Sequence, residues 1–307
     1  MVPCAGSWQA PRKGALMRIF RKPQFVLDFI GLVIAAGLFL ASASTASPVS
    51  DILVGVGTSF VFVALLDVLL AAQRKLLQRE RAGFFGRELV HDKTTLVYPD
   101  FVMNDAVRDA LKEHNQQMLY KRPRSRFPNL TLHRIDIPRA VAANDIEALL
   151  YVADIFESTV SCPNVMMVDR AVVDACDCSF ISFGLSSNDC THLYTHEHAQ
   201  PLFTIVDDED GSEFLRLSNG HEYHSTQQRQ YGMILRYSPS PAEYPERRWF
   251  LCGGLGPVAT PGAAWYLSRQ WQKLRKSVPG SQDFIAIISV GPYTDRSPHL
   301  EEVLTSG

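Results

Sequence analysis

Between Pro23 and Gln73 the chain has no lysine and no arginine. Two apolar segments fill that interval, Phe25–Ser47 and Ile52–Ala72, joined by Pro48-Val49-Ser50-Asp51. A helix that crosses the ~30 Å hydrocarbon core of a bilayer needs ~20 apolar residues, and both segments are long enough. Five basic residues precede the interval (Arg12, Lys13, Arg18, Arg21, Lys22) and five follow it (Arg74, Lys75, Arg79, Arg81, Arg87). Basic flanks stay on the cytosolic side, so this pattern predicts a membrane helical hairpin with both termini cytosolic. The expected organisation is a cytosolic segment over 1–24, a two-helix membrane hairpin over 25–73, a charged stalk over 74–87 and a soluble domain over 88–307. A signal peptide is the other reading of the first segment. Arg18–Lys22 would be its charged region, Phe29–Leu40 its apolar core and Ala41-Ser42-Ala43 its cleavage site. Met17 is an alternative start, since residues 1–16 carry no structural pattern.

The spans hold more than aliphatic side chains. Gly31, Ala35, Ala36, Gly37, Gly55, Gly57, Thr58 and Ser59 are small residues that permit close helix approach. Asp28 and Asp67 lie within or at the edge of the spans. Carboxylates there either reach the headgroups or face a bundle interior or water. In the second case Asp28, Thr58 and Asp67 would line a pore, and two helices cannot enclose one without oligomers.

The 307-residue chain leaves room for one sizeable domain after the hairpin. A net charge of −2 argues against a surface that coats nucleic acid. Six cysteines in a cytosolic domain should be reduced.

Thr95–Tyr98 reads as a buried strand stopped by Pro99. Asn104–Tyr120 has helical apolar spacing, Lys121–Pro128 is a basic loop and Leu130–Ile137 a strand. Asn144 with Glu147 is a capping pair for a helix over Ile146–Val160. Asn164–Cys176 also has helical spacing, and Cys178–Phe183 is a strand. Phe203–Val206, Phe214–Leu217 and Tyr231–Tyr237 are short β runs separated by turn residues. They form a hairpin-rich insertion or an antiparallel extension of the sheet. Arg248–Cys252, Thr260–Lys276 and Asp283–Val290 then read as strand, helix and strand. Apolar strands alternating with helices predict a parallel sheet covered on both faces, so the domain is expected to be Rossmann-like α/β.

Ligands of open α/β sheets bind beyond the carboxyl ends of the strands. Three such ends carry unusual residues. The first is Pro99-Asp100. The second is Gly184, Ser186, Ser187 and Asn188, followed by Thr191. The third is Gly253, Gly254 and Gly256, leading through Thr260 and Gly262 into a helix. Glycines before a helix start let backbone N–H groups approach a phosphate, and Thr260 is a suitable N-cap there. A tight turn without ligand is the alternative. The pattern is not G-x-G-x-x-G, and neither a Walker lysine nor an acidic ribose partner is evident.

Cys176, Cys178, Cys190, His192, His196 and His198 crowd into one region. His192-x₃-His196 has zinc spacing, whereas Cys176-x-Cys178 does not. Buried thiols and loop histidines are the expected state, with no metal and no cofactor. No nucleophile triad is visible, and nothing singles out Glu197, Glu209 or Glu213 as acid or base, so no catalytic residue is assigned.

The stretches SFISFGLSSNDCT and WFLCGGLGPVATPGAAWYL behind a two-span N-terminus resemble a family of bacterial anti-phage membrane effectors. CBASS-type and Hailong effectors are examples, and their sensor domains are related to the SLOG and nucleoside-deoxyribosyltransferase folds. The resemblance covers the architecture of most of the chain, but specific motifs over short stretches only. It implies a sensor for a nucleotide or nucleotide oligomer made by a partner nucleotidyltransferase. It also implies an oligomer in the bacterial inner membrane, with a tetramer as the expected size, that acts as an ion channel or pore. Opening would depolarise the membrane and arrest growth, an abortive-infection response. The Leu202–Tyr237 region departs from the pattern. A membrane-anchored N-glycosidase or nucleotide hydrolase of deoxyribosyltransferase-like fold is the alternative, and a ligand-free scaffold is a third.

Overall fold

The computed structural model describes residues 23–43, 48–102, 106, 139–157, 163–209, 211–278, 282–292 and 294–306. The chain divides into two compact units, 1–79 and 80–307.

In the first unit, helix α1 (Pro23–Ser42) is followed by the 37-residue helix α2 (Val49–Phe85), whose last turns belong to the second unit. Among the described residues α2 is the one helix long and apolar enough to cross a membrane, and Val33–Ser42 is a shorter apolar helical stretch. A Cβ placed on Gly57 would lie 3.3 Å from the Phe39 ring and 3.5 Å from the Ala35 carbonyl, and one on Gly31 would lie 3.8 Å from Phe60. Rising numbers on one helix meet falling numbers on the other, so the two pack antiparallel. Gly37 and Gly55 face open space. The Thr58 hydroxyl donates to Val54 O at 2.7 Å and the Ser59 hydroxyl to Gly55 O at 2.9 Å, which satisfies both inside the helix. Asp67 is half-buried, and the Asp28 side chain lies outside the described residues.

Helix α2 runs on through Gly83 to Phe85 and stops at Gly86, where φ is +90°. The second compact unit takes in the end of α2 from Glu80. The physical reason is the Phe84-Phe85 pair, both fully buried in that unit.

After a single π-helical turn (Glu88–Asp92), the second unit runs β1 (Thr94–Tyr98), β2 (Phe101–Val102), β3 (Arg139–Ala140), α3 (Ala143–Glu157), β4 (Asn164–Val168), α4 (Asp169–Ala175), β5 (Phe180–Phe183), α5 (Asp189–Glu197), β6 (Phe203–Asp207), β7 (Glu213–Leu217), β8 (Glu222–His224), β9 (Gln230–Tyr237), β10 (Trp249–Leu255), α6 (Ala259–Ser277), β11 (Phe284–Gly291) and β12 (Thr294–Thr305). Seven strands form one mixed sheet in the order β12-β11-β9-β10-β5-β1-β4. The β4, β1, β5 and β10 half is parallel, while β9 and β12 run antiparallel to their neighbours. A wholly parallel sheet is therefore not what forms. The insertion is a separate antiparallel sheet, β6-β7-β8, and β9 extends the main sheet.

Asn164–Cys176, expected as one helix, is strand β4 followed by the seven-residue α4. Val165 and Val168 fit either period, and parallel pairing of Asn164–Val168 along the whole of β1 decides for the strand. The elements expected over Asn104–Tyr120, Lys121–Pro128 and Leu130–Ile137 fall largely or wholly outside the described residues.

Side chains of the strands alternate between two cores. On one face Val97, Phe180, Leu235, Trp249, Leu251 and Ile285 pack under Val172, Tyr194, Phe203 and Leu215, so α4, α5 and the small sheet cover it. On the other face Phe84 meets Phe250, Phe284 and Trp271 at ring centroids 5.6, 6.0 and 5.9 Å apart. Phe85 meets Phe156 of α3 at 5.3 Å. Arg236 of β9 is 1 % exposed here, its guanidinium 5.3 Å from the Phe84 ring and 5.0 Å from Phe284, and it donates to Gln282 O. Burial pulls its pKa down to about 10, so it stays charged at neutral pH and is held by the two rings.

Candidate functional site

The parallel strands advance outward from a central pair, β1 to β4 on one side and β5 to β10 on the other. The carboxyl ends of β1 and β5 therefore flank the point where the winding reverses, and a crevice opens there in such sheets.

Two of the three expected strand ends meet at this point. Gly184 has φ +106°, and a Cβ there would lie 3.3 Å from the Pro99 ring and 3.5 Å from Asn188. Asn188 is fully buried. Its Nδ2 donates to the Ser182 hydroxyl at 2.8 Å and to Phe183 O at 2.5 Å, and its Oδ1 caps α5 by accepting from Cys190 N at 2.8 Å. Thr191 is buried too, its hydroxyl 3.4 Å from Gly184 O. Asn188 and Thr191 thus shape the loop from within. Ser186 and Asp100 are half-buried and Ser187 is exposed, so these three keep contact with solvent beside the buried pair.

Asp169 was missed by the sequence reading. It sits at the carboxyl end of β4, 4 % exposed, and its Oδ2 accepts from Asp189 N, in the first turn of α5, at 3.0 Å. Its Oδ1 accepts from Arg170 N at 2.8 Å. Burial raises the Asp169 pKa, the two N–H groups oppose the rise, and the nearby Asp189 and Asp100 carboxylates add to it. The N–H of Asp189 at the start of α5 is thus already taken by the Asp169 carboxyl, and the Asp189 and Asp100 carboxylates stand near it. Such a wall suits hydroxyl or cationic groups of a ligand better than a phosphate. The signal in the sequence was Val168-Asp169, an acidic residue directly after an apolar strand.

The third expected end is closed by packing. Gly253 and Gly254 are strand residues of β10, not part of a loop. A Cβ on Gly253 would meet Gly184 O at 2.8 Å, and one on Gly254 would overlap the Ala259 Cβ and lie 2.8 Å from Thr260 N. Gly256, at φ +116°, lies against the Gln230 side chain, whose Oε1 accepts from Val258 N at 3.1 Å. Thr260 is not the N-cap of α6. Val258 is, without a side-chain bond, and Thr260 is buried inside the first turn. Gly262 packs against Val290 of β11. These glycines bring helix α6 close to the sheet, and Gln230 occupies a donor at its start.

Among the described residues no group of three or more His, Cys, Asp or Glu side chains is arranged to hold a metal ion. Cys190 is buried and its thiol is pushed up to about 12 by burial. His192 Nε2 lies 2.6 Å from Ser186 O, and His196 Nδ1 lies 2.9 Å from His192 O.

A second polar cluster, also unforeseen, lies on β12. The β11–β12 register shifts between Ile287 and Ile288, and Glu301 and Glu302 lie at that irregularity. Glu301 accepts from Ser289 and Arg229, both at 2.5 Å. Glu302 accepts from Asn219 at 2.7 Å and Tyr223 at 2.6 Å, with His221 Nδ1 at 2.9 Å. Burial works to raise the Glu302 pKa, but bonds from Tyr223, His221 and Asn219 outweigh it and hold the carboxyl below its usual range. This cluster latches the small sheet onto the edge of the large one.

Comparison of the chain with protein-family models, with curated proteins and with solved structures returned no match.

Proposed function

We propose that this protein is a membrane-anchored sensor and effector. In this reading α1 and α2 form a membrane hairpin in a bacterial inner membrane with both termini cytosolic. The second unit is a Rossmann-like domain that senses a nucleotide or nucleotide oligomer made by a partner nucleotidyltransferase. Oligomers, with a tetramer as the working size, form an ion-conducting path whose opening depolarises the membrane in anti-phage defence. The observation that carries the reading is the continuity of α2, one uninterrupted helix from an apolar run to two phenylalanines buried in the α/β core. A soluble domain tethered only for location needs no such insertion of the helix end. Ligand binding shifts an open–closed equilibrium only by its differential affinity for the two states, and a coupling of ~1–3 kcal/mol is the usual size.

The acidic crevice favours recognition of the nucleoside part, through ribose hydroxyls on Asp100 and Ser187. It also gives weight to a second reading, a membrane-anchored N-glycosidase, because a carboxylate at this point suits attack on a glycosidic carbon. Titration of the detergent-solubilised protein with nucleotides, followed by chromatography of the ligand afterwards, separates the two. Saturable binding with the ligand recovered intact supports the sensor. Release of free base, abolished in Asp100→Asn, supports the enzyme. No binding of any nucleotide removes both.

A further inference from the structure

Helix α6 meets the crevice loop through β10 at one end and the end of α2 at the other. It follows β10 after a short turn and packs back over β9, β10 and β11, so it runs from the carboxyl ends of the parallel strands toward their amino ends. Its 19 residues span about 28 Å at 1.5 Å per residue. At the crevice end no side chain separates helix from strand. Gly184 N donates to Cys252 O at 3.0 Å, and a Cβ on Gly253 would stand 2.8 Å from Gly184 O. One residue on, the Gly254 backbone is pressed against Ala259 and Thr260, and a Cβ on Gly232 of β9 would stand 2.5 Å from Ala259 O. Gly262 meets the Val290 side chain.

Contacts of this kind set backbone on backbone. They leave few side-chain rotamers between the Gly184 loop and α6 to absorb a displacement, so a shift of that loop or of the end of β10 passes to the helix backbone. Past Gly262 the helix holds no glycine and no proline, the usual sites of a kink. At its far end α6 holds α2. Trp271 is buried against both terminal rings of α2, its own ring centroid 5.9 Å from Phe84 and 5.8 Å from Phe85. One turn on, Arg275 Nη1 lies 2.9 Å from Glu80 Oε1. The sheet offers Phe84 the rings of Phe250 and Phe284 on its other side. The end of α2 is thus gripped between α6 and the sheet, and it registers movement of one against the other.

We propose that α6 is the transmission element between the crevice and α2: a ligand in the crevice displaces α6 against the sheet, and Trp271 and Arg275 carry the displacement to the end of α2. This rests on the sensor reading of the crevice. A packed helix that shifts by about 1–2 Å is a usual form of such a transition. Coupling is reciprocal, so a change made where α6 grips α2 must be felt at the crevice with no ligand present.

Amide exchange of the full chain in detergent, read by mass spectrometry, tests that reciprocity. The N–H groups of Gly184, Asn188 and Thr191, bonded to the carbonyls of Cys252, Leu185 and Asn188 at 3.0, 3.2 and 3.0 Å, report on the crevice loop. Arg275→Glu sets a carboxylate against Glu80 at a surface position and should speed their exchange at least ~3-fold, near the low end of what such networks carry. Trp271→Leu should act in the same sense. Arg269→Glu makes the same charge change on the same helix, but against Asp154 of α3, 3.8 Å from Arg269, and should leave the three amides unchanged. Equal rates at these amides in Arg275→Glu and Arg269→Glu, or an effect confined to the residues around Phe84, overturns the role of α6. No ligand enters this comparison, so its failure is separate from failure of the sensor reading, which shows as wild-type protein that binds no nucleotide.

Discussion

Phe85, the last residue of α2, meets Phe250 of strand β10 with ring centroids 5.2 Å apart. The helix end is therefore part of the α/β core, and its removal opens a cavity in that core. Phe85→Ala should destabilise residues 80–307 by about 3–5 kcal/mol, with Phe84→Ala similar. Leu76→Ala, at an exposed position of the same helix, should cost under ~0.5 kcal/mol. Denaturant unfolding in detergent, read by Trp fluorescence, checks the contrast. A chain starting at Glu88 should be unstable where one starting at Glu80 folds.

Gly57 and Gly55 are two residues apart and face different surroundings. Gly57 lies against Phe39 and Ala35, and Gly55 lies against nothing within 4 Å. Gly57→Leu should disturb the α1–α2 pair itself and lower protein level in membranes. On the proposed oligomer, Gly55→Leu should leave the protein level unchanged and reduce cross-linking between copies, because nothing lies within 4 Å of a Cβ at Gly55. Equal behaviour of the two variants would contradict that division of roles.

Asp145 in the first turn of α3 is 5 % exposed, and burial raises its pKa to about 6 from 3.8. The folded state then holds the proton more tightly than the unfolded chain. The group costs stability above about pH 6, and the cost fades as pH falls toward 4. Asp145→Asn should therefore stabilise the domain at pH 7 by on the order of 1–3 kcal/mol, and by little at pH 4. Thermal melts at the two pH values decide it, and a gain that grows toward acid would contradict the sign.

Much of the fold was legible in the sequence because its signals were local. The charge-free interval marked α2, and apolar runs marked β1, β5, β10 and β11. Longer-range facts were not legible. Val165 and Val168 fit a helix as well as a strand until β1 is there to pair with them. Burial of Phe84 and Phe85 was not legible either, because it depends on Phe250 and Trp271, far along the chain. The strand β12, with its latch residues Glu301 and Glu302, shows no apolar alternation strong enough to announce it. The crevice was half legible. Pro99 and Gly184 do meet, whereas Gly253 and Gly254 signalled close approach without saying to what.

That difference fixes how the crevice should respond to mutation. Gly254→Asp should fail to fold or lose several kcal/mol, since its Cβ overlaps Ala259 and the Thr260 backbone. Ser187→Ala, at an exposed loop position, should fold normally and, on the proposed sensor reading, weaken nucleotide binding by about 1 kcal/mol, roughly 5-fold. Circular dichroism with a binding titration separates the two effects.

The most direct test of the membrane-effector account is the membrane potential of bacterial cells during unregulated expression of the full chain, followed with a potential-sensitive dye. The account predicts depolarisation that precedes growth arrest, its loss in Gly55→Leu, and no effect from a chain starting at Glu80. Growth arrest with the potential intact, or arrest caused by the Glu80 chain alone, would contradict it.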